Sequence, residues 1–213
     1  MVMSNRRYSY YPGFFTTDSI SSSKDIILSA GSGMTVDERW EHETKWLVEK
    51  IKFGNERDLV IDYGCGIGRL AKEIKNPVLG VDISPSMIEQ SISYVNKSTF
   101  SCITPEMLTI LSKNGLKVSG AYAVWSLQHV LNVVEVIETL MRVIKPGGLF
   151  WLMDLLVRRV PCSEIIDDTF TYLDDGIKIT GLIGKWCDLE TIENMLLYPD
   201  QPSLTLRMYR RRS

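Results

Sequence analysis

Short apolar runs in the first half of the chain predict the strands of a buried parallel sheet. One run ends on Asp62, a second runs from Pro77 to Asp82, and a third spans Phe100–Ile103. Continuous apolar runs of this length, bounded by turn residues, are typical of strands that are covered on both faces. Because segments with helical spacing lie between them, the order predicts an α/β fold.

Capping residues indicate where the helices begin. Thr35 and Glu38 form a capping box in front of apolar residues at helical spacing, which predicts a helix near residues 36–52. Ser84-Pro85 and Thr104-Pro105 each provide an N-cap followed by a proline at the first helical position. Two further helices are therefore expected directly after the second and third strands.

Other segments give weaker patterns. Arg69–Ile74 has helical periodicity, Asp188 is expected to cap a short helix that ends at Leu197, and Ser203–Tyr209 alternates like a terminal strand. Residues 1–33 are rich in Ser, Tyr, Gly and Arg without a sustained period. They are interpreted as a loose arm or a cover and not as a packed domain.

The most informative chemistry lies in the turn after the first strand, Asp62-Tyr63-Gly64-Cys65-Gly66-Ile67-Gly68-Arg69. Glycines at every second position let the backbone turn sharply and approach a ligand that a β-carbon would block. Asp82 ends the next strand, where a carboxylate can accept both hydroxyls of a ribose. These features predict a nucleoside-type cofactor. Arg69 stands where a dinucleotide fingerprint has its third glycine, which disfavours NAD and FAD.

Composition narrows the partners. The chain has 213 residues, of which 45% are hydrophobic, enough for one α/β domain. A net charge of −2 provides no field that would attract nucleic acid or an anionic membrane. Since no apolar run reaches the length of a membrane span and the first residues lack the apolar core of a signal peptide, we expect a cytoplasmic protein.

The four cysteines do not form a recognisable metal or disulfide framework. They stand at positions 65, 102, 162 and 187, without a C-x-x-C pair or a neighbouring histidine cluster. No metal site is therefore expected. Cys65 lies inside the glycine turn, where it is interpreted as a small filler and not as a nucleophile.

Motifs in a fixed order resemble those of the class I S-adenosylmethionine-dependent methyltransferases. Residues 60–68 and 81–84 look like the family's first two motifs, and residues 121–126, 127–130 and 143–148 look like its later ones. The resemblance implies an α/β, Rossmann-like three-layer sandwich with a mostly parallel sheet of the seven-stranded type. It also implies an antiparallel C-terminal strand, and the closing hairpin of the family looks abbreviated here.

The resemblance also implies a division of the chain. Residues 1–34 would form a flexible N-terminal arm or lid, and residues 35–213 a single methyltransferase domain. Within that domain the core would span 58–154, followed by a substrate-side segment over 155–187 and a C-terminal helix and strand over 188–210. It is left open whether residues 176–183 supply a further strand.

By this resemblance, S-adenosylmethionine would lie across the ends of the first, second and fourth strands. Asp62 would orient the loop and the cofactor's ammonium group, Asp82 would hold the ribose, and carbonyls near Trp125 and Ser126 would hold the amino group. The expected cofactor contacts are Arg39, Trp40, Asp62, Gly64, Cys65, Gly66, Gly68, Asp82, Ile83, Met87, Glu106, Met107, Trp125 and Ser126.

Several of these residues keep a second interpretation. Arg39 either clamps the cofactor's carboxylate or is a surface charge, and Trp40 either shields the sulfonium or anchors the core. Relatives place an Asp or Asn after the third strand to accept the adenine amino group, whereas this chain has Thr104-Pro105-Glu106-Met107. Glu106 either replaces that acceptor or is a helix-start charge. Met107 either lies against the adenine ring or belongs to the core.

The implied activity is in-line transfer of a methyl group to an O, N or C atom of a small-molecule acceptor, with S-adenosylhomocysteine as product. Gln128 and His129 would face the reaction centre, and a histidine of near-neutral pKa can act as a base. The alternatives are a non-catalytic cofactor-binding scaffold, a nicotinamide oxidoreductase, and a nucleic-acid methyltransferase suggested by the basic end at Arg207–Arg212.

Overall fold

A central sheet with helices on both faces is seen in a computed structural model, which describes residues 15–28, 34–155, 158–166, 169–173, 176–195 and 204–213. The strands are β1 (Val60–Tyr63), β2 (Val78–Val81), β3 (Phe100–Ile103), β4 (Val118–Val124), β5 (Ile144–Met153), β6 (Val160–Ile166), β7 (Thr169–Leu173), β8 (Cys187–Met195) and β9 (Leu204–Arg211). The helices are α1 (Ile20–Ile27), α2 (Val36–Lys50), α3 (Pro85–Val95), α4 (Pro105–Lys113), α5 (Val133–Val143) and α6 (Ile179–Ile183), with a short 3-10 helix at Leu127–His129.

Seven strands form one mixed sheet in the order β3-β2-β1-β4-β5-β9-β8, and β6 pairs with β7 as a separate hairpin. Strands β1 to β5 are parallel, whereas β9 is antiparallel to both β5 and β8. The predicted Rossmann-like fold class is therefore confirmed. The order reverses between β1 and β4, and such a switch point opens a crevice at the carboxyl ends of the strands.

The predicted helix starts of the core are confirmed. Thr35 caps α2 through a reciprocal capping box with Glu38, and Ser84 and Thr104 cap α3 and α4. Each side-chain oxygen accepts a hydrogen bond from a backbone N–H that the first helical turn leaves free. The helix α2 ends at Lys50, two residues before the predicted end.

The C-terminus differs from the prediction. The helix expected after Asp188 is instead strand β8, and with it the sheet is complete and not abbreviated. Asp188 binds Arg212 at 2.8 Å and Glu190 binds Arg210 at 2.9 Å, so acidic residues that favour a helix are held on a strand by ion pairs with the end of the chain. The segment 176–183, for which the sequence does not decide whether a strand is present, contains helix α6 and not a strand.

The prediction of a helix over Arg69–Ile74 is also wrong. The segment is a series of turns, closed by hydrogen bonds of 2.9–3.0 Å onto the carbonyls of Gly68 and Leu70. Gly68, directly before it, has a φ of +83°, outside the helical region. The ammonium group of Lys97 binds two carbonyls of the segment and replaces the missing helical hydrogen bonds.

Helix α1 lies in the segment for which only an arm or cover was predicted. Hydrogen bonds fix this part of the chain to α3: the Ser84 hydroxyl donates to the carbonyl of Phe15 at 2.8 Å, and Gln90 binds the hydroxyls of Thr17 and Ser23. Residues 1–14 and 29–33 lie outside the described residues. The flexibility of the arm and the domain boundary at residue 34 stay predictions.

Two apolar clusters cover the two faces of the sheet. On one face Ile61 and Phe150 pack with Leu140 of α5, and on the other Val60 and Tyr122 pack with Leu47 of α2. Alternate residues of the same strands thus serve both layers, as expected for buried parallel strands. Within the described ranges, no helix is long and apolar enough to cross a membrane.

Candidate active site

A cavity of about 830 Å³ opens at the carboxyl ends of β1, β2 and β4. The loops after these strands form one side of it, α4 and α5 form another, and Phe15 with residues of α1 covers it. The predicted site residues that line the cavity are Arg39, Gly64, Gly66, Asp82, Ile83, Met87, Glu106, Trp125, Ser126, Gln128 and His129. The structure thus brings most of the predicted set together around one space.

Three predicted cofactor residues lie just behind the cavity lining. Asp62 and Cys65 are buried beneath the glycine loop. Gly68 is a packing position, because a β-carbon there would lie 2.3 Å from a methyl carbon of Val95. These residues shape the loop from behind and do not form its surface.

Two other predicted contacts lie elsewhere. Trp40 is buried in a cluster with Ile67 and Met87, which agrees with its interpretation as a core anchor. Met107 is 44% exposed on the outside of α4 and does not line the cavity, so neither the adenine contact nor the core role fits its position. The next residue of α4, Leu108, is the one that faces inward.

The glycine loop approaches its neighbours too closely for side chains. A β-carbon on Gly64 would lie 2.2 Å from the Cβ of Ser126, and Gly64 has a φ of +71°. Gly66 has a φ of +54°, and its N–H donates to the Asp82 carboxylate at 2.8 Å. The loop is therefore fixed between the ends of β4 and β2, with its backbone exposed to the cavity.

Asp82 links the glycine loop to the start of α3. One carboxylate oxygen accepts the Gly66 N–H and the other accepts the Ser84 N–H at 2.9 Å. Burial raises the pKa of Asp82 above its usual value, and the hydrogen bonds from backbone N–H groups oppose that rise. A carboxylate has about four acceptor positions, more than the backbone N–H groups of Gly66, Ser84 and Ile83 occupy, so it can also accept a hydroxyl donor.

Asp62 is the second buried carboxyl group of the site. Burial raises its pKa from 3.8 to about 7, while the Tyr122 hydroxyl and the nearby Arg69 lower it. With a pKa near 7, the group is partly protonated near neutral pH.

A buried carboxylate that the sequence did not reveal, Glu43 of α2, joins three parts of the site. It accepts hydrogen bonds from Arg69 at 2.9 Å and from the indole N–H of Trp125 at 2.7 Å, and it pairs with Arg39 at 3.3 Å. The guanidinium of Arg69 also lies 5.3 Å from the ring centre of Trp40. Arg69 therefore stands where a dinucleotide motif has a glycine, and its role here is that of a structural cation.

The signal for Glu43 is present in the sequence but easily missed. The residue lies three positions after Trp40 and four before Leu47, on the apolar face of the predicted helix. A carboxylate on such a face requires a buried cationic partner. Spacing alone does not identify that partner, because Arg69 is 26 positions away.

Trp125 adopts an unusual backbone conformation at the end of β4. Its φ of +58° is rare for a bulky residue. The conformation is held by the indole bond to Glu43 and by the Trp125 N–H, which donates to the Met153 carbonyl at 2.7 Å. The next residue, Ser126, is thereby placed to donate its hydroxyl to the Tyr63 carbonyl at 2.7 Å. Strain at this position is consistent with a functional site.

His129 is held in one tautomer. Its Nδ1 lies 2.6 Å from the Arg159 carbonyl, which can only accept, so Nδ1 carries the proton. Its Nε2 lies 2.9 Å from the side-chain nitrogen of Gln128 and accepts from it. Burial lowers the pKa of His129 below its ordinary 6.5. The imidazole is therefore neutral at pH 7, with the Nε2 lone pair on the side of Gln128.

Asp154, another residue outside the predicted set, fixes the segment that carries His129. Its carboxylate accepts the N–H of Gln128 at 3.1 Å, and the Gln128 side-chain oxygen accepts the N–H of Leu155 at 2.7 Å. Burial raises the pKa of Asp154 well above its usual value, although backbone N–H groups oppose the rise. The ends of β4 and β5 are thus connected directly beside the cavity.

Comparisons with known proteins agree with this geometry. Residues 61–152 match a family model described as a methyltransferase domain. Methyltransferase phqN of Penicillium fellutanum is 27% identical over 130 residues, which cover 56% of this chain and 37% of that protein. The chain spans about a third of the length of the first curated relatives that it matches.

Solved structures show the same fold. The PH0226 protein of Pyrococcus horikoshii OT3 matches with a TM-score of 0.64 and 20% identity, covering 88% of this chain and 96% of that one. The N-methyltransferase NodS of Bradyrhizobium japonicum WM9, in complex with S-adenosylhomocysteine, matches with a TM-score of 0.60 and 13% identity over 89% of this chain and 97% of that one.

Sheet order, glycine loop and strand-end carboxylates together define a Rossmann-like methyltransferase fold. The match over residues 61–152, together with the solved structures of the same fold, supports a class I S-adenosylmethionine-dependent methyltransferase.

The Glu43 cluster predicts a stability effect. Replacing Glu43 by Gln should lower the free energy of unfolding by about 3–5 kcal/mol, because it leaves a buried guanidinium without its counter-charge. Urea unfolding followed by circular dichroism measures the change. The control is Glu41→Gln on the exposed side of the same helix, with an expected change within about 0.5 kcal/mol. Equal losses in the two variants would contradict a structural role for Glu43.

The raised pKa of Asp62 predicts a pH effect on stability. Because the folded state holds this proton up to about pH 7 and the unfolded state releases it near 3.8, Asp62 makes the free energy of unfolding fall as pH rises through that window. Asp62→Asn should remove this contribution and make the slope less negative by up to about 1.4 kcal/mol per pH unit. Urea unfolding from pH 4 to 8 measures it. Parallel curves for wild type and variant would refute the assignment, and Asp58→Asn serves as control.

Proposed function

We propose that this protein transfers a methyl group from S-adenosylmethionine to a small-molecule acceptor that binds in the same cavity. The observation that carries the proposal is the convergence of the bare glycine backbone, Asp82 and Glu106 on one space at the switch point of the sheet. A nucleoside with a charged amino-acid tail requires donors, acceptors and close backbone approach in this arrangement.

The residues present fit the donor molecule. Asp82 would accept the ribose hydroxyls, since it lines the cavity and its carboxylate has more acceptor positions than its backbone partners occupy. Glu106 follows the cap of α4 and lines the cavity, so its carboxylate would accept the adenine amino group in place of the usual Asp or Asn. The apolar side chains of Ile83 and Leu108 would contact the adenine ring.

Arg39 and the loop after β4 would hold the amino-acid part. Arg39 lines the cavity beside Gly64 and Gly66, and its guanidinium suits a carboxylate. The carbonyls at Trp125 and Ser126 would accept from the ammonium group. Glu43 keeps Arg39 and Trp125 in place and so acts on the cofactor through them.

When bound, S-adenosylmethionine supplies an electrophilic methyl group. The protein's contribution is chiefly to position the acceptor and to exclude water, and good orientation contributes on the order of 7–11 kcal/mol. Phe15, Ile26 and Leu28 on the covering segment and Leu155 after β5 supply apolar surface for that purpose. Asp154 and Gln128 hold the loop that faces the acceptor.

His129 is proposed as the base for acceptors that lose a proton. Its neutral Nδ1–H tautomer leaves Nε2 as the only basic atom of the ring, and the bond to Arg159 fixes the ring's orientation. The Gln128 amide occupies Nε2 in this structure and would give way to an acceptor O–H or N–H. Phe15 contacts the imidazole edge with ring centres 5.9 Å apart, which limits access of water.

Two features favour a small acceptor over a nucleic acid: the cavity is partly enclosed, and arginines of the basic end are paired with carboxylates. The cavity is enclosed in part by α1, and its volume lies in the range of small-molecule sites. Arg210 and Arg212, which suggested nucleic acid in the sequence, are paired with Glu190 and Asp188. Two of the four arginines of this basic end are thus paired with carboxylates of the same chain.

Ligand titration tests the donor site. Calorimetry should show that the protein binds S-adenosylhomocysteine and does not bind NAD. Asp82→Ala should weaken the binding of S-adenosylhomocysteine by about 1–3 kcal/mol, because it removes the charged acceptor of the ribose hydroxyls. The control is Glu89→Gln on the exposed side of α3, for which unchanged affinity is expected.

A wild-type protein that binds no S-adenosylhomocysteine would refute the proposed function. Asp82 also accepts the Gly66 N–H, so its replacement could disturb the loop itself. Unfolding curves for Asp82→Ala distinguish the two causes, because an unchanged stability assigns the loss of affinity to the ribose contact. Binding without turnover on any member of a panel of phenols, amines, carboxylic acids and carbon nucleophiles would instead favour the non-catalytic scaffold.

His129 predicts a kinetic effect. With an acceptor from that panel, His129→Ala should lower kcat by roughly 100-fold or more while the affinity for S-adenosylhomocysteine is retained. The wild-type kcat/KM should rise with pH through the pKa of His129, which burial places below 6.5, and the variant should lose this limb. The matched control is the chain's other histidine, with His42→Ala leaving rate and profile unchanged. An unaltered rate in His129→Ala would assign the residue to packing.

A further inference from the structure

Two cysteine thiols meet beneath the glycine loop. The Sγ of Cys65, in the loop between Gly64 and Gly66, lies 3.4 Å from the Sγ of Cys102 on β3. Both are free thiols. They come from segments 37 residues apart, so the fold and not local sequence brings them together.

The absence of a side chain on the strand between them makes this contact possible. Strand β2 separates β1 from β3, and its residue Gly80 pairs in register with Cys102. A β-carbon on Gly80 would lie 2.9 Å from the Sγ of Cys65. The glycine thus leaves a channel across β2 through which the Cys65 thiol reaches the outer strand.

The two thiols differ in accessibility. Cys65 is buried, whereas Cys102 is partly exposed on β3, an edge strand of the sheet. The hydrogen bond with Cys102 and burial hold the pKa of Cys65 well above its usual value, so Cys65 is a poor first nucleophile. An oxidant from solution would therefore react first at Cys102.

We propose that Cys65 and Cys102 form a reversible disulfide that weakens cofactor binding. The effect on binding rests on the proposed function of the cavity, whereas formation of the bond does not. The oxidant is a small-molecule disulfide such as oxidised glutathione. The structure shows both thiols in the reduced form.

The reaction balances as two thiol–disulfide exchanges. The Cys102 thiolate attacks one sulfur of the small disulfide, forms a mixed disulfide and releases one thiolate. Cys65 then loses its proton to solvent and attacks the Cys102 sulfur, and the second small thiolate leaves. In total two protein thiols are oxidised to one disulfide, and one small disulfide is reduced to two thiols.

Closing the bond would deform the cofactor loop. The sulfurs must approach from 3.4 Å to about 2.05 Å. Hydrogen bonds restrict movement of the loop backbone: the N–H groups of Gly64 and Cys65 bind the Val81 carbonyl, and that of Gly66 binds Asp82. Strain in these contacts would move the glycine backbone that faces the cofactor. A strained disulfide is also readily reduced, which makes the change reversible.

The experiment compares reduced and oxidised protein. Wild type is incubated with oxidised glutathione, the remaining thiols are alkylated, and peptides are analysed by mass spectrometry, which should find a Cys65–Cys102 linked peptide. Calorimetry on the same sample should show at least a tenfold weaker affinity for S-adenosylhomocysteine than on the reduced sample. Dithiothreitol should restore both.

Variants separate this disulfide from other oxidation. Cys102→Ser should bind S-adenosylhomocysteine as well as reduced wild type does and keep that affinity after oxidation, and Cys187→Ser should respond as wild type does. The proposal is overturned if the linked peptide does not form, if it forms without a loss of affinity, or if Cys102→Ser loses affinity to the same extent. If reduced wild type binds no S-adenosylhomocysteine, the proposed function fails, while the linked peptide still decides whether the bond forms.

Discussion

The architecture of the site depends on one buried carboxylate that must be neutralised. Glu43 is inaccessible to solvent on the inner side of α2. An unpaired charge in that position would cost several kcal/mol, so Arg39, Arg69 and the indole of Trp125 have to converge on it. These partners come from the helix before β1, the segment after the glycine loop and the end of β4. The ion-pair cluster therefore fixes the relative positions of three elements that border the cavity.

A second constraint acts at shorter range. The Gly64 backbone touches Ser126, and the Gly66 N–H is bound by Asp82, so the loop after β1 is held at once by the ends of β4 and β2. Asp82 therefore holds the loop and, on the proposed function, also binds the ribose. Such double use explains why a carboxylate is placed here although burial raises its pKa. A neutral side chain would have fewer acceptor positions for two N–H groups and a ribose.

The sequence predicted the features that depend on neighbouring residues. The helix caps at Thr35, Ser84 and Thr104 follow from local backbone chemistry and agree with the structure. The first two strands are also present, and their ends lie within one residue of the predicted Asp62 and Asp82. From the order of these elements the family motifs could be recognised.

The features that were missed depend on contacts between distant segments. Strand β8 is extended because its acidic residues meet Arg210 of β9 and Arg212 just after it, although its composition favours a helix. Helix α1 is stabilised by bonds to α3, with only a short Ser-rich sequence of its own. The pairing of Glu43 with Arg69 has no local pattern. For Trp40 packing selects the core anchor from its two predicted roles, whereas Met107 is exposed and fits neither of its two.

The two halves of the cavity are built on different principles. The half proposed for the donor consists of strand ends and tight turns, where steric limits leave few alternatives and a nucleoside would have to fit the backbone. The half proposed for the acceptor is lined by the covering segment with Phe15 and Ile26 and by Leu155 after β5, which contribute side chains and little backbone. Side chains on covering segments can change without disturbing the Glu43 cluster or the glycine loop. On the proposed function, the fold and its turn motifs therefore specify the donor more strongly than the acceptor.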